Sequence, residues 1–393
     1  MYVEQLRSLQ NNIYKIQEAF EGGHAPHPED DIFLKGSSGA KQALDAMIKT
    51  YKKPKTTSVK WDGYPALIFG RGIDKKFIIA DKHMFNKEDG SGRRIYSPEQ
   101  FIQYDALRGV ARPQLNDTIS AIWSSLEKAS AGTTGYFWGD LLFSQVLDDS
   151  DGMYVFRANP NGVTYKVNVD STIGKLLSNK IAGIGVHQYM TPDIVQRAKD
   201  ASSPRRKKKP TDLASSLNGG LGGLNNNTNV AILPSAMAIV PKLSVPLSDA
   251  KVVEQTIKQY GPALDQLLSF SSPQLKTDIG AYFNFKVRSG NLNNLLRDFY
   301  KFIKDRKMTV PMRKKVNDHL NNNKDGVIAL MKIWAEIYKL KMNLYQQLHK
   351  ADEQSPVQGY LDDGTKGQEG YVSNGYKYVD RLGFSRQNLL GKR

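Results

Sequence analysis

Lys60-Trp61-Asp62-Gly63 follows the run Thr57-Ser58-Val59 and precedes Tyr64-Pro65-Ala66-Leu67-Ile68-Phe69-Gly70-Arg71. A lysine where an apolar strand enters a tight turn suits attack by an amine on the α-phosphorus of a nucleotide. A free lysine is almost fully protonated near neutrality, so such a site must lower its pKa by partial burial or nearby positive charge. Asp62-Gly63 supplies a hairpin-type turn, and Gly63 lets the backbone approach a ligand closely. Two carboxylates stand on other strand-like segments. Asp140 interrupts the apolar stretch Gly135 to Phe143, so it must be paired, bound to a metal or accepting hydrogen bonds. Glu369-Gly370 opens the strand Tyr371-Val372, and Lys377 lies across a hairpin from it. Two carboxylates and two lysines are what Mg²⁺-assisted nucleotidyl transfer needs: oxygen ligands for a hard cation, and positive charge for the phosphates.

In this order the segments resemble the motifs of the covalent nucleotidyltransferases: ATP-dependent DNA ligases, RNA ligases and mRNA capping enzymes. Lys60-Trp61-Asp62-Gly63 is similar to their motif I, Gly139-Asp140-Leu141 to motif III, Glu369-Gly370-Tyr371-Val372 to motif IV and Lys377-Tyr378-Val379 to motif V. The resemblance implies an α+β fold with an antiparallel-sheet, ligase-type adenylation domain unlike an ATP-grasp. It also implies ATP as donor, Mg²⁺, and a lysyl-AMP intermediate on Lys60. Asp62 would then orient the lysine or contact a sugar hydroxyl, with Gly63 beside it. Arg71 matches the arginine after motif I, Asp140 and Glu369 would contact sugar and metal, and Lys377 the α-phosphate. The ending Asp380-Arg381-Leu382-Gly383-Phe384-Ser385-Arg386-Gln387-Asn388 resembles that of uncharacterised ligase-like proteins of tailed phages.

Asp140 stands where the family usually has Glu, and the interval between motifs III and IV is much wider than usual. Little sequence follows Lys377, so the expectation is a core without the oligonucleotide-binding-fold domain that carries motif VI. An aromatic side chain should stack on the base, and Tyr165, His187 and Tyr189 are the candidates.

The elements that must position these residues are legible in outline. Ala43, Leu44, Met47, Ile48 and Tyr51 recur at helical spacing after Ser37-Ser38-Gly39, and Ile119, Ile122, Trp123 and Leu126 mark another amphipathic helix. Gly135 to Phe143, Val163 to Val169 and Ile181 to Tyr189 read as strands, and Asn374-Gly375 is a type I′ hairpin signal. Residues 1–200 are expected to form the first part of the core, and 201–248 a flexible linker rich in basic residues, glycine and asparagine. Residues 249–351 form an inserted all-α domain, punctuated at Pro262, Pro273, Gly290 and Pro311, and 352–393 return to the core. Leu292, Leu295, Leu296, Phe299 and Ile303 trace one apolar stripe, and Val327, Leu330, Met331, Trp334, Ile337 and Tyr338 another.

The chain has 55 Lys and Arg against 39 Asp and Glu, a net charge of +16, and no cysteine. Disulfides and thiolate metal sites are excluded, and no apolar stretch has membrane-spanning length. DNA or RNA is the expected partner, because cations that neutralise phosphates release counterions. Arg205, Arg206, Lys207, Lys208 and Lys209 form a candidate phosphate-contacting arm; Lys251 to Lys350 adds 18 basic against 8 acidic side chains. The expected compartment is the cytoplasm, that of the host for a viral protein. Plainer roles stay open: Lys60 as a strand-end lysine, Asp140 as a structural carboxylate, Glu369 and Lys377 as a cross-strand ion pair, Arg71 and the basic run as solvated charge. His24, His27, Glu29, Asp30 and Asp31 read as a loop and helix cap. A non-catalytic nucleic-acid-binding or virion-associated protein on the same fold is the alternative function.

Overall fold

The computed structural model describes residues 26–53, 57–61, 63–85, 94–157, 163–190, 229–234, 236–238, 243, 247–269, 271–306, 308–352, 355–361, 364, 367 and 370–383. The fold is α+β. Three sheets hold all the described strands, and a body of long helices packs on one of them.

The largest sheet has the order β3-β2-β4-β8-β9: β2 (Ala66–Arg71), β3 (Phe77–Asp81), β4 (Gly135–Phe143), β8 (Ala182–Met190) and β9 (Val230–Pro234). All pairs are antiparallel except β8 with β9, which is parallel. Leu67, Ile68 and Phe69 are consecutive and fully buried, so β2 is covered on both faces. One cover is the helix Pro113–Ala129, whose Leu115, Ile119, Ile122, Trp123 and Leu126 form one apolar face. At the edge of this layer Arg112 joins two buried acids, reaching Asp81 at 2.8 Å and Asp105 at 2.5 Å.

A second sheet, β11-β7-β6-β5, contains β5 (Asp149–Ser150), β6 (Met153–Arg157), β7 (Val163–Asn168) and β11 (Val357–Leu361), all antiparallel. Between it and the first sheet lies a compact core of Trp61, Leu142, Phe156, Tyr165 and Leu233.

The third sheet, β10-β1-β12-β13, is assembled from distant parts of the chain: β1 (Ser58–Lys60), β10 (Ala236–Ala238), β12 (Tyr371–Ser373) and β13 (Tyr376–Tyr378). β12 and β13 form the expected hairpin, with Asn374 at φ 47° and Gly375 at φ 83° in the turn. Asp62 of the expected Asp62-Gly63 turn lies outside the described residues, but the strands on either side of it, β1 and β2, do not pair with each other. β1 pairs with β10 and β12, whereas β2 pairs with β3 and β4, so the segment after Lys60 crosses from one sheet to another. Burial of Trp61 between the sheets drives that crossing, at 2% exposure.

The helical body consists of α1 (Asp31–Lys52), α2 (Leu247–Ser269), α3 (Pro273–Ser289), α4 (Leu295–Lys304), α5 (Val310–Asn322) and α6 (Lys324–Ala351). α1 comes from the first part of the chain, yet it shares one apolar core with the others and with Tyr371, Tyr376 and Tyr378 of the third sheet. α1 breaks at Gly36 (φ 64°), and Asp265 of α2 caps the new start, accepting from Ser37 N at 2.7 Å and Ser37 Oγ at 2.5 Å. Ser272 and Pro273 start α3, which ends on Gly290 in the left-handed region. Pro262 does not punctuate the domain; it lies inside α2, where Leu264, Leu267 and Leu268 of the following turns are buried on one face. Along α6, Val327, Leu330, Met331, Trp334 and Ile337 are buried as one stripe; in α4, Phe299 and Ile303 are buried but Leu296 is exposed.

Candidate functional site

The local sequence explains how the Lys60 segment is held. Val59 is buried against the helical body, and the next-but-one residue, Trp61, is buried in the core between the other two sheets. The Trp61 ring meets Tyr165 edge-on at 4.8 Å and Phe156 at 6.0 Å. Lys60 is thereby pinned between two cores. Past the turn, Tyr64 N donates to the Leu141 carbonyl at 2.9 Å and Leu141 N to the Pro65 carbonyl at 3.0 Å. A Cβ on Gly63 would lie 2.7 Å from that Leu141 carbonyl and 2.8 Å from Asp140 Cβ, so only glycine fits against β4 there. Asp140, half-buried, therefore sits directly beside the turn that follows Lys60.

On the other side of Lys60 runs β12. Ser58 faces Val372 and Val59 faces Tyr371, so Lys60 and Gly370 are the next positions along this ladder. Gly370 (φ 146°) packs so closely on β13 that a Cβ would lie 2.5 Å from the Tyr378 carbonyl. Val372 in turn pairs with Lys377. Backbone segments carrying Lys60, Gly63, Asp140, Gly370 and Lys377 are thus adjacent, although they span most of the sequence.

Arg71 does not join them. It pairs with Gly135 whereas Ala66 pairs with Asp140, which puts Arg71 five residues along β2, about 17 Å from the turn. Its guanidinium donates to the Lys75 carbonyl at 2.8 Å and the Glu127 carbonyl at 3.0 Å. Tyr165 is fully buried in the core between the sheets and offers no face to a base. The side chains of Lys60, His187 and Tyr189 lie outside what the structure describes, as do Asp62, Glu369 and the whole run Arg205 to Lys209.

Two cavities flank this array. One, of about 830 Å³, lies against the turn and β4, lined by Tyr64, Pro65, Leu141, Phe156, Arg112 and Arg157. Tyr64 is 52% exposed at its wall. The other, of about 890 Å³, lies between the helical body and the end of β13, and its charged lining is His27, Asp30, Lys276, Arg288, Lys377 and Arg381. None of these except Lys377 was singled out as a site residue in the sequence. The basic excess of the helical segment was countable, but which of its cations share a cavity depends on tertiary packing.

Behind the second cavity is a buried ionic cluster. Lys341 Nζ donates to Glu29 Oε1 at 2.9 Å with both side chains at 0% exposure, and Arg381 reaches Glu29 at 3.7 Å and bonds to Asp30. Burial works against the charge on Glu29, but Lys341 and Arg381 outweigh it and hold the carboxyl below the ordinary carboxylate range. Burial lowers the pKa of His27 well below the usual imidazole value, and Arg381, Lys341 and Lys377 lower it further. The neighbouring acid Asp31 is tied to Lys35 at 2.9 Å and to the Tyr376 hydroxyl at 2.6 Å.

These features define an α+β chain whose strand segments from distant parts of the sequence meet around a lysine-bearing turn. The chain belongs to a family of unknown function (DUF6267), matched over residues 22–393. No curated protein and no solved structure matches it. Among the described residues no helix is long and apolar enough to cross a membrane.

Proposed function

We propose that the chain is an ATP-dependent polynucleotide ligase-like nucleotidyltransferase with a ligase-type adenylation domain. The Lys60 amine, deprotonated, attacks the α-phosphorus of ATP; a phosphoramidate bond forms, the bond to the β-phosphate oxygen breaks, and pyrophosphate leaves. The AMP moves to a 5′-phosphate at a DNA or RNA end, releasing the lysine. A 3′-hydroxyl then displaces AMP and closes the phosphodiester. In this reading Asp140 and Glu369 supply the sugar and metal contacts; Asp140 lies beside the Gly63 turn. Mg²⁺ in such sites takes one or two carboxylates together with substrate phosphates, a requirement that Asp140 and Glu369 fit, and it would supply neutralisation of phosphate charge. Arg71 has no part in this reading, since it is engaged elsewhere.

The observation that carries the reading is the adjacency of β1, the Gly63 turn against Asp140, and β12 with Gly370 just before it. The backbones at Lys60, Gly63, Asp140 and Gly370, from the segments that resemble motifs I, III and IV, are neighbours in space, which supports this reading. Incubation with α-labelled ATP and Mg²⁺ tests it. Label that survives denaturation and is absent from Lys60→Ala is the expected result. No label with any divalent cation, alongside salt-sensitive nucleic-acid binding, would instead favour the non-catalytic reading.

A further inference from the structure

We propose that the apolar groove between α4 and α6 is the docking site of the chain's own N-terminal segment, Tyr2 to Phe20. The inference is independent of the nucleotidyl-transfer reading, since no residue of the groove belongs to the array around Lys60.

The groove encloses about 480 Å³. Leu292 and Leu295 line one side, and Trp334, Ala335, Tyr338 and Met342 of α6 line the other. Leu292, Leu295, Ala335 and Tyr338 pack on the core of the helical body, yet each is only partly buried. Their remaining apolar surface borders the groove and gains from a cover.

Residues 1–25 lie outside the described residues, but their sequence carries a matching stripe. Tyr2, Leu6, Leu9, Ile13, Ile16 and Phe20 recur at intervals of 4, 3, 4, 3 and 4 residues. That is the heptad spacing with which one helix sets an apolar seam against its neighbours. The positions between are mainly polar, with Glu4, Arg7, Lys15 and Glu18 among them. Such a seam needs a partner surface as much as the groove needs an occupant.

Connectivity selects this occupant. The carbonyl of Pro26 accepts from Lys377 N at 3.0 Å, which fixes where the described chain begins. Three residues on, Glu29 accepts from Lys341 Nζ of α6 at 2.9 Å, and that ammonium lies 5.1 Å from the centre of the Tyr338 ring. Tyr338 itself lines the groove. Lys341 and Tyr338 are one turn apart on α6, so the chain enters the helical body beside the groove. Five residues, Glu21 to Ala25, separate the stripe from Pro26 and reach up to about 18 Å when extended. A segment on so short a tether meets the groove at an effective concentration on the order of millimolar, far above that of a second copy in dilute solution.

The chain has no cysteine, so engineered pairs report contact directly. Full-length protein carrying Met342→Cys is combined in turn with Leu9→Cys, Ile13→Cys or Ile16→Cys on the stripe, and with Asn11→Cys or Lys15→Cys on the opposite face. Oxidation at micromolar protein, read by non-reducing electrophoresis and mass spectrometry, shows which pairs close and whether they close within one chain. At least one stripe pair should close within a chain on the order of tenfold faster than either opposite-face pair. Leu9→Asp/Ile13→Asp should also lower the melting temperature, whereas Asn11→Asp/Lys15→Asp should leave it in place. Disulfides formed only between chains would assign the groove to a second copy and overturn the proposal. Equal closure by both faces, no closure, or a melting temperature indifferent to the stripe would overturn it as well. None of these readouts involves ATP, so the labelling experiment on Lys60 is decided separately.

Discussion

At the scale of single residues, three positions bear most of the account. Gly63 has no room for a side chain: a methyl would press on both the Leu141 carbonyl and Asp140. Gly63→Ala should therefore both lower the melting temperature, through the Leu141 carbonyl and buried Leu142, and cut lysyl-AMP formation, through Asp140; a melting temperature lowered with labelling unchanged would argue for a purely structural glycine. Lys341 is the second. Removing it leaves Glu29 buried with only Arg381 at 3.7 Å, so Lys341→Met should destabilise the fold by about 3–5 kcal/mol, measured from urea midpoints. The third is His27. Its folded pKa lies below the ordinary value, so the unfolded chain takes up a proton first as pH falls. Stability is full above roughly pH 6.5 and declines below it, until the folded imidazole also titrates. His27→Gln should flatten the melting temperature between pH 7 and 5; an unchanged slope would show that His27 is not responsible. Lys60 and Asp140 stand out in the sequence because charged types interrupt strand-like runs, and the fold brings their backbones and Gly63 together. Sequence reading could not foresee that Arg71 is engaged by the Lys75 and Glu127 carbonyls or that Tyr165 is fully buried, because a strand pattern does not say which partner takes a side chain.

At the scale of elements, local pattern was a good guide wherever the pattern itself fixes the structure. Gly135 to Phe143 is a strand because its apolar run suits a doubly covered position, and Asn374-Gly375 turns because both residues accept positive φ. The same logic failed at Asp62-Gly63. A turn signal says that the chain bends, not whether the two flanking strands pair; here the fully buried indole of Trp61 carries the chain into another sheet. Trp61→Ala should cost about 3–5 kcal/mol and uncouple β1 from the Gly63 turn. Hydrogen exchange would register that as faster exchange of the amides of 58–60 relative to those of β2. Exchange that accelerates equally in both strands would place the role of Trp61 in general core packing.

Across the whole molecule, the pairing of β1 with β10 and β12 brings together residues near 60, 237 and 371, and no local pattern encodes a register across such intervals. The same is true of α1, which reads as part of the strand-rich region yet packs with α2 and α6. The helical segment is consequently no bystander to the strands: its core includes the tyrosines of the third sheet, and its α3 cations face the cavity that Lys377 lines. The central claim is that Lys60 becomes covalently nucleotidylated, and mass spectrometry of the protein after incubation with ATP and Mg²⁺ addresses it most directly. The account predicts the added mass of one AMP, mapped by tandem fragmentation to the peptide containing Lys60. An adduct mapped to another lysine, or an unmodified Lys60 peptide under every divalent cation tried, would contradict it.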